Sequence, residues 1–282
     1  MTTFQYIIDG ILSALAQIIP LSDATLNEFE RDLLGWGPTT HELFLLVTFM
    51  GVLNFLFFFR YDWLGLTSGF LKSVIRPISL KPSLRTLDQH TVLFLLIIVV
   101  PNFLAHHFVT PLIRDNELLM HFGVFAFGSI VIAGLFQFAA NWNKRLKGLN
   151  HVALPDAVFI SALSLLSLHP SIPLVAMLWA GFAIRNYHYE AVFKFSMIIV
   201  GLEVFVHFIQ LFLDIPFKTA LQSVGYLNSI AVLVTTFTVF WIALENLQKG
   251  INEGTLRFFK WLHILFALGL IAMGVFTMMR GT

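Results

Sequence analysis

Cysteine is absent from this sequence, which excludes disulfide staples, thiolate nucleophiles and thiolate metal sites. Charge is scarce as well. Only 12% of the 282 residues are Asp, Glu, Lys or Arg, about half the roughly 25% of a soluble domain. The balance is even, with a net charge of +1, so there is no concentrated basic face of the kind nucleic-acid binding needs. Basic residues are missing from the beginning, where Arg31 is the first. A cleavable signal carries a positive n-region there, so targeting is expected to rest on the transmembrane segments themselves. What fills the chain is apolar: 57% hydrophobic residues and 31 phenylalanines, with a mean hydropathy of +0.82. A surface of this composition has to face lipid, and the abundant phenylalanine suits a lipid-facing wall.

Two of the apolar stretches are interrupted. Asp9 to Thr25 reads DGILSALAQIIPLSDAT and breaks at Pro20-Leu21-Ser22-Asp23. Proline cannot continue the ladder of backbone hydrogen bonds. Inside a bilayer such a break is tolerated only where protein or a water-filled cavity satisfies the freed groups. The stretch therefore reads as a half-crossing that dips in and turns back. Asp156 to Ile184 follows the same plan, with Ser-Ala-Leu and then a break at Pro170-Ser171-Ile172-Pro173. Paired broken segments in two halves of a chain point to a central site in an inverted-repeat membrane protein.

The predicted fold is all-α and polytopic, an inverted-topology repeat with two re-entrant broken helices and about six transmembrane helices, the first of them short of the roughly 20 residues a crossing needs. The first repeat, residues 1–150, holds the re-entrant segment 4–26 and spans 42–59, 91–110 and 118–140. The second, residues 151–282, holds the re-entrant segment 156–185 and spans 190–213, 220–247 and 256–279. Between the first two spans, Trp63, Leu66, Phe70, Leu71 and Val74 recur at helical spacing, as in an amphipathic helix in the headgroup layer. If the broken segments return to the side they enter from, most of the 17 Lys and Arg share one face. These are the basic residues of Arg60 to Arg85, Lys144 to Lys147, Arg185 with Lys194, and Lys249 to Lys260. Basic loops mark the cytoplasmic side, so both termini are expected outside.

The chain resembles the undecaprenyl pyrophosphate phosphatase family of bacterial inner membranes in length, span order and position of the breaks. The family's first motif, Glu-Gly-x-x-Glu-Phe-Leu-Pro-x-Ser-Ser-x-Gly-His, falls on the stretch from Ser13 to Leu26. Its second, Pro-Gly-x-Ser-Arg-Ser-Gly, falls on Pro170 to Ala176. Pro20, Ser22 and Pro170 match. The two family glutamates fall on Ser13 and Gln17, the second serine on Asp23, the histidine on Leu26 and the arginine on Leu174. The resemblance implies a polyprenyl head group bound between the two re-entrant pairs, with Ser13, Gln17, Ser22, Asp23, His169 and Ser171 as the ligand-binding positions.

The departures imply that the family reaction is lost. Releasing a terminal phosphoryl group requires charge neutralisation by a metal on carboxylates or by Arg and Lys clamps. Neither broken tip carries a cation, and Gln17 is neither a base nor a good ligand for a hard metal. No catalytic residue is assigned, and no cofactor or metal is expected.

Glu203 and His207 stand four residues apart on one helical face of the fourth span. Ionisable residues in lipid are functional candidates, and this pair is a candidate proton-linked switch or a packing pair. His41, His106, His107 and His121 fall near the outer face without the spacing of a metal motif. Gln222, Tyr226, Ser229 and Thr236 form a rough stripe on the fifth span, which reads as interhelical glue.

Three function classes remain. One is a non-catalytic scaffold that binds or translocates a polyprenyl phosphate or another lipid, or serves as an envelope-complex subunit. Another is an undecaprenyl-diphosphatase with a rearranged site around Ser22, Asp23 and His169. The last is a small-solute transporter. Membrane lipid is the expected partner, with a homodimer or an envelope protein as further partners, and the bacterial inner membrane the expected location.

Overall fold

The computed structural model describes residues 2–18, 35–36, 39–75, 87–114, 147, 153–168 and 172–252. Among them the regular structure is helical, apart from one isolated bridge between Lys147 and Tyr187. Helix α1, Thr3–Ala16, opens with a capping box in which Thr2 and Gln5 satisfy each other's backbone N–H groups. Helix α2, His41–Phe58, starts at Thr40, whose hydroxyl accepts from the Leu43 N–H. Then follow α3, Arg60–Ile75, and α4, Leu87–Arg114. Helix α5, Leu154–Ser164, has proline in its first turn and runs into a 3-10 turn, Leu165–Leu168. The remaining helices are α6, Leu174–Ile184; α7, Tyr189–Asp214; α8, Phe217–Val224; and α9, Tyr226–Asn252.

Among the described residues three helical stretches are long and apolar enough to cross a membrane: His41–Phe58, Glu190–Asp214 and Tyr226–Gly250. The chain is an all-helical membrane protein. The stretch expected to cross at 91–110 lies inside α4. That helix continues through Pro101, which cannot donate to the Ile97 carbonyl. On the next carbonyl, Asn102 Nδ2 donates to Ile98 O at 2.7 Å. The stretches 118–140 and 256–279 lie outside the described residues.

The fifth span departs from expectation. It begins at Tyr226 rather than at Ala220, because Gly225 adopts φ +87° and separates α8 from α9. Glycine enters that region without a Cβ penalty, and a lone glycine in the sequence does not by itself announce the break. The polar stripe is divided accordingly. Gln222 lies on α8, Tyr226 is exposed, and only Ser229 and Thr236 share the buried face of α9. The helix expected in the headgroup layer is present as α3. Trp63 and Leu66 pack against the core, while Tyr61, Leu64, Phe70 and Leu71 are exposed.

The phenylalanines are not only a lipid-facing wall. Phe55, Phe59, Phe94, Phe182, Phe193, Phe195 and Phe240 are buried. Many of them meet edge-on or tilted, as Phe55 and Phe240 do at 5.1 Å and 84°.

Helices α2 and α7 run antiparallel. Phe44 meets His207, Phe49 meets Phe208 and Phe59 meets Phe193, with ring centroids 5.4, 5.6 and 6.0 Å apart. Between these pairs Gly201 lies against Phe55, where a Cβ would stand 3.1 Å from the ring. Helix α1 lies parallel to α9: Thr3 Oγ1 donates to Asn228 Oδ1 at 2.9 Å, and Gly10 faces Val232 and Thr236. Helix α5 lies parallel to α4 in the same way. Asn102 Nδ2 donates to Ser164 Oγ at 2.6 Å, and Phe94 meets Tyr187, the partner of Asp156, at 6.5 Å. Helices α5 and α6 form an antiparallel hairpin, with Ile160 packed on Gly181 and Asp156 bonded to Arg185 beyond the end of α6.

Candidate functional site

Asp9, Ser13 and Gln17 recur at intervals of four residues, so they share one face of α1. That face is turned inward, with Asp9 and Ser13 buried. Asp9 Oδ1 accepts from Thr39 Oγ1 at 2.8 Å and from Ser13 Oγ at 3.4 Å. Asp9 Oδ2 is buried and has no hydrogen-bond partner among the described residues. Gln17 caps the C-terminus of α1. Its Oε1 is buried against α2 without a hydrogen-bond partner among the described residues, and a Cβ on Gly51 would collide with it. Gly51 is therefore the close-approach position that lets the amide in. Asn54, one turn further along α2, is fully buried and donates from Nδ2 to Met50 O at 2.9 Å.

The second hairpin has its own polar line. Ser164 Oγ donates to Ser161 O at 2.8 Å and accepts from Asn102. Of the positions expected to bind a head group, Ser13 and Gln17 are brought to one buried face. Ser22, Asp23, His169 and Ser171 lie outside the described residues.

The strongest electrostatic feature was not singled out as a site in the sequence. Asp156 is fully buried at the start of α5. Its carboxylate accepts from Lys147 Nζ at 2.9 Å, Arg185 Nε at 2.6 Å and Tyr187 Oη at 3.0 Å. Arg185 pairs with it through Nη2 as well. Asn186, in the left-handed region at φ 64°, turns the chain between Arg185 and Tyr187 so that both donors converge. The backbone of Lys147 is bound there too, donating to Asn186 O at 2.6 Å and accepting from the His188 N–H at 2.9 Å. Burial pushes the Asp156 carboxyl up, but the hydrogen bonds from Lys147, Arg185 and Tyr187 outweigh it and hold the group below its ordinary value. Burial, and then the Asp156 charge, pushes the Tyr187 phenol well above its ordinary range. Helices α1 and α5 thus each carry a buried aspartate one turn or slightly more before Ser-Ala-Leu. That shared placement, Asp9 before Ser13 and Asp156 before Ser161, is the signal by which both could have been found.

Glu203 and His207 do not project into one interior site. Glu203 lies on the exposed side of α7, while the His207 ring packs edge-on against Phe44. His41 is exposed at the start of α2, and the side chains of His106, His107 and His121 lie outside the described residues. Among the described residues, no group of three or more His, Cys, Asp or Glu could hold a metal ion.

Long apolar helices, a broken hairpin closed at its base by an ion cluster, and buried polar lines along the short arms define a membrane protein whose interior is built to hold polar groups. The chain belongs to the BacA family: the family model described as bacitracin resistance protein BacA matches residues 6–269. Three curated relatives are each named undecaprenyl-diphosphatase. The protein of Gemmatimonas aurantiaca is 23% identical over 173 residues, 61% of this chain and 62% of that protein's own length. That of Trichodesmium erythraeum is 23% identical over 279 residues, 98% of this chain and 86% of its own. That of Prochlorococcus marinus is 22% identical over 281 residues, 95% and 98% respectively.

Proposed function

We propose that this chain is a non-catalytic relative of the undecaprenyl-diphosphatases, which binds a polyprenyl phosphate or a similar lipid between its two hairpin tips without hydrolysing it. The observation that carries this reading is the polar face of α1. At the position of the family's second glutamate stands Gln17, a neutral amide packed against Gly51. The carboxylate on this face, Asp9, lies eight residues back, about 12 Å along the helix, and is engaged by Thr39 and Ser13. The Gln17 amide can accept and donate hydrogen bonds to a head group, but it supplies neither a base nor the charge that phosphoryl transfer requires.

The inverted-repeat reading, with halves 1–150 and 151–282, is supported by the packing. The first long helices of the two halves are antiparallel. The first arm of each hairpin lies parallel to the second long helix of the other half. Re-entry is supported in the second half by the closed base of the α5–α6 hairpin. In the first half it is supported by Thr39, which has returned beside Asp9 by the start of α2. The location proposed is the bacterial inner membrane, crossed several times, with the basic ends cytoplasmic.

The test is phosphate release from undecaprenyl pyrophosphate by purified protein, with and without divalent metal, alongside native mass spectrometry for co-purifying lipid. Stoichiometric polyprenyl phosphate without turnover is the expected result. Turnover at a rate typical of enzymes would replace this reading with that of a diphosphatase using a rearranged site. Bulk phospholipid alone would leave a partner protein or a small solute as the ligand.

A further inference from the structure

The three long apolar helices meet at one end around a cavity of about 230 Å³. There α2 ends at Phe58, α7 begins at Tyr189, and α9 contributes Trp241 and Gln248 from its last turns. The cavity is smaller than the roughly 300–1,000 Å³ of a drug-sized pocket, with room for a head group but not for a whole lipid. Its apolar wall is aromatic. Phe58 meets Trp241 edge-on at 5.4 Å, and Phe193 stacks obliquely on Phe59. Aromatic side chains at the ends of spanning helices sit at the level of lipid head groups.

The charges around this wall are mixed and balanced. Arg60 and Lys194 face Asp62 and Glu190. Lys194 and Asp62 pair with each other at 2.6 Å. Arg60 and Glu190 make no ion pair among the described residues. Arg60 is exposed, donates from Nη1 to Phe57 O at 3.2 Å and lies over the Tyr61 ring. Glu190 is exposed and makes no ion pair among the described residues. Among the described residues, one cation and one anion without an ion-pair partner beside an aromatic wall match a zwitterion. A purely anionic head group would gain Arg60 but be repelled by Glu190.

We infer that this cavity is a binding site for a phospholipid of the phosphatidylethanolamine class, with Arg60 on the phosphate and Glu190 on the ammonium. The ethanolamine ammonium has three N–H donors for the carboxylate. A choline head group has none, and meets the site only through its charge and the aromatic wall. This site is independent of the ligand proposed at the hairpin tips and lies at the end of the helices where the basic residues gather.

The test is competition among phosphatidylethanolamine, phosphatidylcholine and phosphatidylglycerol of identical acyl chains, supplied to delipidated protein and read by native mass spectrometry. The ethanolamine lipid is expected to be retained about ten-fold over the other two, the worth of one charge-assisted hydrogen bond. Glu190→Gln should abolish that preference, and Arg60→Ala should weaken retention of all three. Equal retention of choline and ethanolamine lipids, preference for phosphatidylglycerol, or no retention by the unmodified protein would each overturn the assignment. The comparison on the unmodified protein decides even if a variant fails to fold.

Discussion

Asp156→Asn tests most directly how the second hairpin is held closed. The substitution keeps the side chain's shape, removes its charge and turns one acceptor into a donor facing donors. Tyr187 is fully buried, so its hydroxyl would be left without its acceptor, at a cost of about 1–3 kcal/mol. Lys147 and Arg185 are 37% and 36% exposed and can turn toward water, so each pair contributes only about 0–1 kcal/mol. Together these terms give about 1–5 kcal/mol. That corresponds to a fall in unfolding temperature on the order of 2–10 °C, measured on detergent-solubilised protein by intrinsic fluorescence. Tyr187→Phe removes only the hydroxyl and leaves Asp156 its two cations, so it should cost about 1 kcal/mol. The pair should be non-additive in a double-mutant cycle, because both changes break the same bond. The pH dependence has a definite sign. A carboxyl held below its ordinary value of 3.8 contributes stability that is complete above that value and is lost as pH falls through the folded-state value. The unmodified protein should therefore lose more stability than Asp156→Asn on acidification below pH 4, and the two should run parallel from pH 7 to 5. An Asn variant that melts within a degree of the unmodified protein, with no difference in acid, would refute the view that this cluster closes the hairpin.

Other perturbations address the tip and the helix interface. Gln17→Glu should not create phosphate release from undecaprenyl pyrophosphate, because a carboxylate alone does not neutralise the charge of the transferring phosphoryl group; release at enzymatic rates would mean that charge at this one position was all the site lacked. Gly51→Ala would drive its Cβ into Gln17 Oε1; displacing that flexible end should reduce lipid retention in native mass spectrometry while leaving the unfolding temperature nearly unchanged. Gly201→Val would press two further methyl groups toward Phe55, already 3.1 Å from the first Cβ position, and overpacking of this kind costs about 1–3 kcal/mol in a thermal melt. Glu203→Gln on the exposed side of α7 should change stability by no more than about 0.5 kcal/mol. If lipid binding and its pH dependence are also unchanged, Glu203 and His207 are not a switch.

Much of this protein was legible in the residues alone. Low charge and long apolar runs required helices in lipid, since only helices and closed barrels satisfy the backbone there. The described helical residues of the short arms end at Ala16 and Leu168, shortly before Pro20 and Pro170 in the sequence, where an imide lacks the N–H that a helix needs. The family's motif positions could be laid on Ser13 and Gln17 by their distance from Pro20. Other features depended on the third dimension. A one-dimensional apolar pattern cannot register a single left-handed residue, so Gly225 and the true start of α9 at Tyr226 passed unseen. Hydrophobicity does not tell a ring facing lipid from one in a core, so the buried phenylalanines looked like surface. Asp9 and Asp156 looked like the polar edges of apolar segments. Only packing decides that one is buried against Thr39 and that the other collects Lys147, Arg185 and Tyr187. Those partners lie nine to thirty-one positions away, and the free energy of a buried charge is set by what the fold brings within hydrogen-bond reach rather than by its neighbours in the chain.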